Sequence, residues 1–168
     1  MSGIGSVTYD RGKPAFEALP LTIAIPTYRR EQVLIETIES LLALDPRAAE
    51  ILVLDQTADH EPQTEVMLRK WNEEGQVRWI RLPEPSIPGA MNKGLLDARQ
   101  DIVLFLDDDI VPFDRLVAEH MNAHRAGHWL VAGRVLQPWD DDISNVPWSA
   151  KQFASTESRE IDGFMGGN

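Results

Sequence analysis

The sequence contains no cysteine. This absence excludes a disulfide scaffold, a thiolate metal site and a cysteine nucleophile. Long apolar runs are also missing: the run IVLFL at 102–106 is among the longest, and a membrane-spanning helix needs roughly 20 apolar residues. Residues 1–20 lack the apolar segment of a signal peptide. We therefore expect a cytoplasmic protein with no transmembrane segment.

Basic residues are scarce relative to acidic ones. The chain carries 16 Lys and Arg against 27 Asp and Glu, for a formal net charge of -11. Because nucleic-acid backbones attract basic surfaces, this balance argues against a nucleic-acid partner. An anionic small ligand stays compatible with it, since a bound divalent cation reverses the charge of its site.

Apolar patterns of strand and helix type alternate along the chain. Short β-branched runs predict strands at 21–25, 50–54, 77–82 and 101–106. Amphipathic patterns between them predict helices at 31–44, 62–74 and 90–99, and a further helix at 113–126 precedes a strand at 129–136. This alternation with short connections indicates an α/β fold, a mostly parallel sheet with helices on both faces. Residues 1–20 are expected to form an arm outside a single domain at 21–168.

Three aspartates, Asp107 to Asp109, follow the predicted strand at 101–106 directly. Their mutual repulsion raises their pKa values unless a cation neutralises them. Mg²⁺ or Mn²⁺ suits this task, because it accepts one or two carboxylates together with phosphate oxygens. In extended backbone Asp107 and Asp109 point to one side and Asp108 to the other. The alternative is a solvated acidic turn, or a cap for the helix predicted at 113.

Polar residues also follow the first two predicted strands, Thr27 after the first and Asp55 after the second. In open parallel sheets ligands bind outside the carboxyl ends of the strands, near the switch in strand order. We therefore expect these residues to share one site with the aspartates. The alternatives are that Asp55 caps the turn that follows it, that Thr27 caps the first helix, and that Tyr28 serves packing.

Five segments in this order resemble the family 2 glycosyltransferases of the GT-A fold. They are LTIAIPTYRR (21–30), ILVLDQT (51–57), PGAMNKGLLDA (88–98), FLDDDIVP (105–112) and GFMGGN (163–168). The resemblance implies a metal-dependent, inverting transfer of a sugar from a nucleoside-diphosphate sugar to a saccharide or other hydroxyl acceptor. An accepting carboxylate at Asp55 suits the N3–H of uracil or thymine, which favours UDP- or dTDP-sugars.

The resemblance also implies roles for individual residues. Asp55 matches the acid that accepts a hydrogen bond from the nucleobase, and Asn92 with Gly94 match a helix start beside the nucleotide. Asp107 and Asp109 match the two ends of the DxD motif and are the expected ligands of Mg²⁺ or Mn²⁺. The full set of expected donor-binding residues is Pro26, Thr27, Tyr28, Arg30, Asp55, Asn92, Asp107 and Asp108.

The sequence departs from the family pattern at two places. Met91 stands where the family often has Arg, and Lys93 or Arg30 is the expected substitute. In the family a GGN-like segment precedes the general base, so the catalytic residue is expected beyond Asn168. This implies a truncated domain, whose exposed apolar surface favours self-association.

Three other interpretations compete with an active transferase. A truncated, non-catalytic nucleotide-binding module is the first. A nucleotidyltransferase is the second, although its first strand would be followed by a glycine- and arginine-rich loop, and residues 26–30 contain no glycine. A histidine metal site is the third: His120, His124 and His128 are spaced by four residues, but Gly127 ends the predicted helix before His128.

Overall fold

The computed structural model of the chain describes residues 18–133 and 135. The described residues fall into two units, one ending at Gly127 and one beginning at His128. The first unit alternates strands and helices: β1 (Leu19–Thr27), α1 (Gln32–Leu42), β2 (Ala48–Asp55), α2 (Pro62–Glu73), β3 (Arg78–Arg81), α3 (Ile87–Asp97), β4 (Val103–Phe105) and α4 (Leu116–Arg125). No helix in the described residues is long and apolar enough to cross a membrane.

The four strands form one parallel sheet in the order β3-β2-β1-β4. The chain therefore adds strands on one side of β1 and then places β4 on the other side. This reversal of direction is a topological switch point, and it lies between β1 and β4. In doubly wound sheets the crevice at that point, at the carboxyl ends of the strands, is where ligands bind.

Alternate residues of the strands pack against opposite layers, as the twofold period of a strand requires. Leu21, Ile23 and Ile25 of β1 belong to the larger core cluster. Its other members come from the strands, from α1, α2 and α4, and from the segments that adjoin them: Leu34, Ile35, Ile38, Leu41, Leu44, Ala48, Ile51, Val53, Leu68, Trp71, Val77, Leu104, Val117 and Met121. Ala24 faces a smaller cluster with Leu52, Leu54 and Ala90 of α3. Helices α1, α2 and α4 thus cover one face and α3 the other, which confirms the predicted fold class.

Helix α3 lies very close to the sheet at Gly94. A Cβ atom on this residue would come within 2.9 Å of Leu54 Cδ1 and 3.1 Å of Phe105 Cε1. The helix begins at Ile87, where the Ser86 hydroxyl caps it by accepting the Gly89 N–H at 3.1 Å. It starts three residues earlier than the sequence pattern predicts, because Pro88 fits the first turn of a helix as well as it fits a loop.

Two sequence predictions about the fold are wrong. The strand predicted at 129–136 is not found, since residues 129–133 and 135 contain no strand. The predicted arm reaches too far: β1 begins at Leu19, which pairs with Ala48 of β2. The rest of the arm, residues 1–17, and the GGN segment at 166–168 lie outside the described residues.

Candidate functional site

The carboxyl ends of β1, β2 and β4 bring most of the predicted site residues together. Thr27, the last residue of β1, is the register partner of Asp55, the last residue of β2. On the other side of β1, β4 ends at Phe105, so the aspartates follow at the switch point. The site therefore forms where the strand order predicts it, from three segments that are distant in the sequence.

The three aspartates differ in their exposure. Asp108 is buried, whereas Asp107 and Asp109 are exposed. The Asp108 carboxylate accepts the Thr27 hydroxyl at 2.7 Å, and its backbone carbonyl accepts the Thr37 hydroxyl at 3.1 Å. Thr27 thus holds Asp108 rather than capping α1, and α4 begins only at Leu116, so the aspartates do not cap that helix.

Burial is the main cause that raises the pKa of Asp108 above its ordinary value. The neighbouring Asp109 charge adds to this rise in pKa, while the Thr27 hydroxyl and the Arg30 guanidinium oppose it. The sequence pattern predicts a raised pKa from like-charge repulsion alone, whereas in the structure burial is the larger cause of the raised pKa of Asp108.

Arg30 supplies the positive charge nearest to these carboxylates. Its Nε lies 3.3 Å from Asp108 Oδ1, and its terminal nitrogen lies 3.2 Å from Asp109 Oδ2. The loop before it is held in an unusual conformation: Arg29 has φ 54°, and its N–H donates to the Thr57 hydroxyl at 2.8 Å. A positive φ at a residue with a Cβ is strained, and such strain is typical of functional loops.

Asp107 lies at a small pocket of about 180 Å³ beside the end of β4. The other residues of its wall are Pro26, Ile87, Met91, Phe105 and Leu106. Met91 therefore presents an apolar side chain where the family pattern often has Arg. Lys93, one of its two expected substitutes, pairs with Asp97 at 2.8 Å, and the other substitute, Arg30, pairs with the aspartates.

Asn92 and Gly94 lie within α3 rather than at its start. Asn92 is exposed in the middle of α3, five residues after the helix begins, and Gly94 is buried against the sheet. The expectation that they mark a helix start is therefore wrong. Tyr28 is 41% exposed, and the Arg29 guanidinium lies 5.1 Å from its ring centre.

Asp55 is completely buried and accepts three hydrogen bonds from the protein. Its Oδ1 accepts the Thr57 N–H at 2.8 Å, so Asp55 does cap the turn that follows it. Its Oδ2 accepts the Trp79 indole N–H at 2.9 Å and lies 2.8 Å from His60 Nε2. His60 and Trp79 are site residues that the sequence analysis did not identify.

A second carboxylate holds the other side of His60. His60 Nδ1 lies 3.1 and 3.2 Å from the two Glu31 carboxylate oxygens, and the His60 side chain has no exposed surface. Burial alone would raise the pKa of Glu31, but hydrogen bonds from Thr64, His60 and the Glu61 backbone, with the His60 charge, lower it overall. Glu31 is therefore an ionised acceptor at neutral pH.

The donor set at the aspartates fits a divalent cation shared with a ligand. Asp107 and Asp109 offer two exposed carboxylates, the type of group that Mg²⁺ and Mn²⁺ prefer. No group of three or more His, Asp or Glu side chains within residues 18–133 is arranged to enclose a metal. Two carboxylates suffice when phosphate oxygens complete the coordination, which is the usual way that proteins bind Mg²⁺ with a nucleotide.

A family model and several solved structures are similar to this chain. The model of glycosyl transferase family 2 matches residues 22–161. A structure of the mannosyltransferase PcManGT from Pyrobaculum calidifontis, in complex with GDP-Man and Mn²⁺, is 21% identical with a TM-score of 0.52; the match covers 62% of this chain and 32% of that one. A structure of S. aureus TarS 1-349 is 23% identical with a TM-score of 0.52, covering 64% and 33%.

The same S. aureus TarS fragment in complex with UDP is 22% identical, again with a TM-score of 0.52. The match covers 64% of this chain and 32% of that one. These likenesses confirm the predicted GT-A fold, and the chain spans about a third of the length of these solved structures. No curated protein sequence matches the chain.

Proposed function

Because the chain belongs to glycosyl transferase family 2, we propose that its sheet binds a nucleoside-diphosphate sugar together with Mg²⁺ or Mn²⁺. The observation that carries the proposal is the pair of exposed carboxylates, Asp107 and Asp109, directly after β4 at the switch point of the sheet. A diphosphate placed there without a cation would face two negative charges. With a cation, the same two carboxylates become the protein's share of its ligands.

Asp107 and Asp109 would hold the cation, whose charge would stabilise the negative charge on a departing diphosphate. The protein's own contribution is to hold the aspartates in place: the Thr27 hydroxyl and Arg30 fix Asp108 between them. Arg30 is half-exposed, with 47% of its side chain accessible. Exposed ion pairs are weak, so its guanidinium is free to leave Asp109 for a phosphate, a partner that arginine binds well.

Asp55 is the proposed acceptor of the nucleobase. It lies beside Thr27 on the next strand, at the edge of the sheet where the nucleoside is proposed to bind. A carboxylate accepts the N3–H of uracil or thymine, which favours UDP- and dTDP-sugars as donors. Solved neighbours in complex with GDP-Man or with UDP support a nucleoside diphosphate as the ligand.

The transfer itself follows from the family. We propose that an acceptor hydroxyl, on a saccharide or another molecule, attacks the anomeric carbon of the sugar with inversion. A general base deprotonates that hydroxyl, and we assign the base to no residue within the described part of the chain. The described residues thus account for the donor half of the reaction.

A nucleotide screen tests the proposal. Calorimetric titration of the chain with UDP, dTDP and GDP in the presence of Mn²⁺ is expected to show binding of UDP and dTDP, and weaker binding of GDP. Binding of none of the three would contradict a donor site at this edge of the sheet. Preference for GDP would keep the donor site but contradict the assignment of Asp55.

A further inference from the structure

The two oxygens of the Asp55 carboxylate have different partners. Oδ2 accepts from Trp79 and faces His60, whereas the one donor to Oδ1 among the described residues is the Thr57 N–H. A carboxylate offers about four acceptor positions, two on each oxygen. Among the described residues, Trp79 and His60 therefore occupy both positions on Oδ2, so that further acceptor capacity lies on Oδ1.

His60 is fixed as a donor toward Asp55. A ring nitrogen that faces an ionised carboxylate contributes as a donor, and His60 has a carboxylate on both sides, Glu31 at Nδ1 and Asp55 at Nε2. The geometry therefore places the His60 ring between two carboxylates. The contacts from Glu31 through His60 to Asp55 link the residue before α1 to the end of β2. The Trp79 indole links β3 to the same Asp55 oxygen, Oδ2.

We propose that His60 and Trp79 are positioning residues that leave only one Asp55 oxygen, Oδ1, to accept from a base, and that this limit selects uracil or thymine over guanine. The inference rests on the proposed role of Asp55 in donor binding. Uracil and thymine present one donor, N3–H, on this edge. Guanine presents two side by side, N1–H and the exocyclic amine, and needs an acceptor on each carboxylate oxygen.

Oδ1 is the oxygen that a base reaches. Asp55 is buried in this structure, and the turn at Thr57 is what shields Oδ1 from solvent. The Thr57 hydroxyl also accepts the Arg29 N–H of the strained loop after β1. The proposal requires this turn to move, so that the base replaces the Thr57 N–H at Oδ1 while His60 and Trp79 still hold Oδ2. In this proposal Oδ2 anchors the Asp55 side chain and Oδ1 accepts from the ligand.

The test compares three nucleotides in four proteins, with Mn²⁺ present throughout. The nucleotides are UDP, 3-methyl-UDP, whose N3 carries no hydrogen, and GDP. The proteins are the unaltered chain, Trp79→Phe, His60→Gln and the control Arg81→Gln. Trp79→Phe keeps a ring but removes the donor. Arg81→Gln disturbs the same ring, since the Arg81 guanidinium lies 4.5 Å from its centre, and leaves Asp55 untouched.

The unaltered chain is expected to bind UDP about tenfold or more tightly than either 3-methyl-UDP or GDP, the size of one lost hydrogen bond to a charged group. Trp79→Phe is expected to lower the UDP to GDP affinity ratio by about tenfold, because Oδ2 regains an acceptor position and Asp55 loses an anchor. His60→Gln is expected to lower the ratio by less, because the glutamine amide can still donate to Oδ2 but no longer bridges Glu31 and Asp55. Arg81→Gln is expected to keep the ratio of the unaltered chain.

Different outcomes overturn different statements. Equal affinity of the unaltered chain for UDP and 3-methyl-UDP would remove Asp55 from base recognition, and with it the proposed function of that residue. Discrimination in the unaltered chain that persists in both variants would overturn the positioning role alone. A uniform loss of affinity for all three nucleotides, at an unchanged ratio, would show a purely structural role and overturn it too. Thermal unfolding establishes that each variant is folded before its ratio is used.

Discussion

Replacing Asp109 with Asn is expected to lower the Mn²⁺-dependent affinity for UDP by about ten- to a hundredfold, at least the loss that follows when a supporting residue of a metal site is changed. Asp109 is one of only two exposed carboxylates in the Asp107–Asp109 run, so its loss halves the protein's share of the ligands. The measurements are Mn²⁺ binding by electron paramagnetic resonance and UDP binding by calorimetry.

Two control variants accompany Asp109→Asn. Asp114→Asn removes an equally exposed negative charge close by in the sequence and is expected to leave Mn²⁺ binding nearly unchanged. Asp108→Asn alters a buried carboxylate that Thr27 and Arg30 hold, so it is expected to lower stability more than metal affinity. A larger loss of Mn²⁺ binding with Asp108→Asn than with Asp109→Asn would show that the assignment of the metal-facing side is wrong.

Replacing Asp55 with Ala is expected to lower the free energy of unfolding by about 3–5 kcal/mol, the usual cost of removing one partner from a buried charged pair. The substitution leaves three donors without their acceptor inside the protein: the Thr57 N–H, the Trp79 indole and His60. It is also expected to weaken UDP binding by about 1–3 kcal/mol, because the base loses its acceptor.

Urea denaturation and UDP titration below the unfolding midpoint measure the two effects separately. Asp59→Ala, an exposed acid four residues later, is the matched control and is expected to change neither quantity. Loss of stability at an unchanged UDP affinity would make Asp55 a residue of the fold only. No loss of stability would contradict the network of hydrogen bonds around it.

The fold was predictable from the sequence because its signals are local. The β-branched run at 21–25 and the helical spacing of Leu34, Ile38 and Leu41 each identify an element without knowledge of its partners. The strand predicted at 129–136 was wrong because an apolar run forms a strand only when a neighbouring strand pairs with it. Local spacing does not reveal whether that neighbour exists.

The candidate site was predictable only in part. Aspartates after a predicted strand identify the edge of the sheet that we propose binds the metal, and the register of parallel strands then places Thr27 and Asp55 at that edge. The hydrogen bonds that hold Asp55 depend instead on side chains that are distant in the sequence. His60 contacts Glu31, which lies 29 residues earlier, and Trp79 contacts Asp55, which lies 24 residues earlier. No local spacing encodes such contacts, since they follow from the packing of α1, β2 and β3.

One measurement tests the central claim most directly: titration of the unaltered chain with UDP, once with Mn²⁺ and once with EDTA. If Asp107 and Asp109 share a cation with the diphosphate, UDP is expected to bind in the presence of Mn²⁺. In EDTA the affinity for UDP is expected to fall by about tenfold or more, since a bound metal contributes several kcal/mol of charge stabilisation. Equal affinity under the two conditions would contradict the claim, because the carboxylates would then hold no cation that the nucleotide needs.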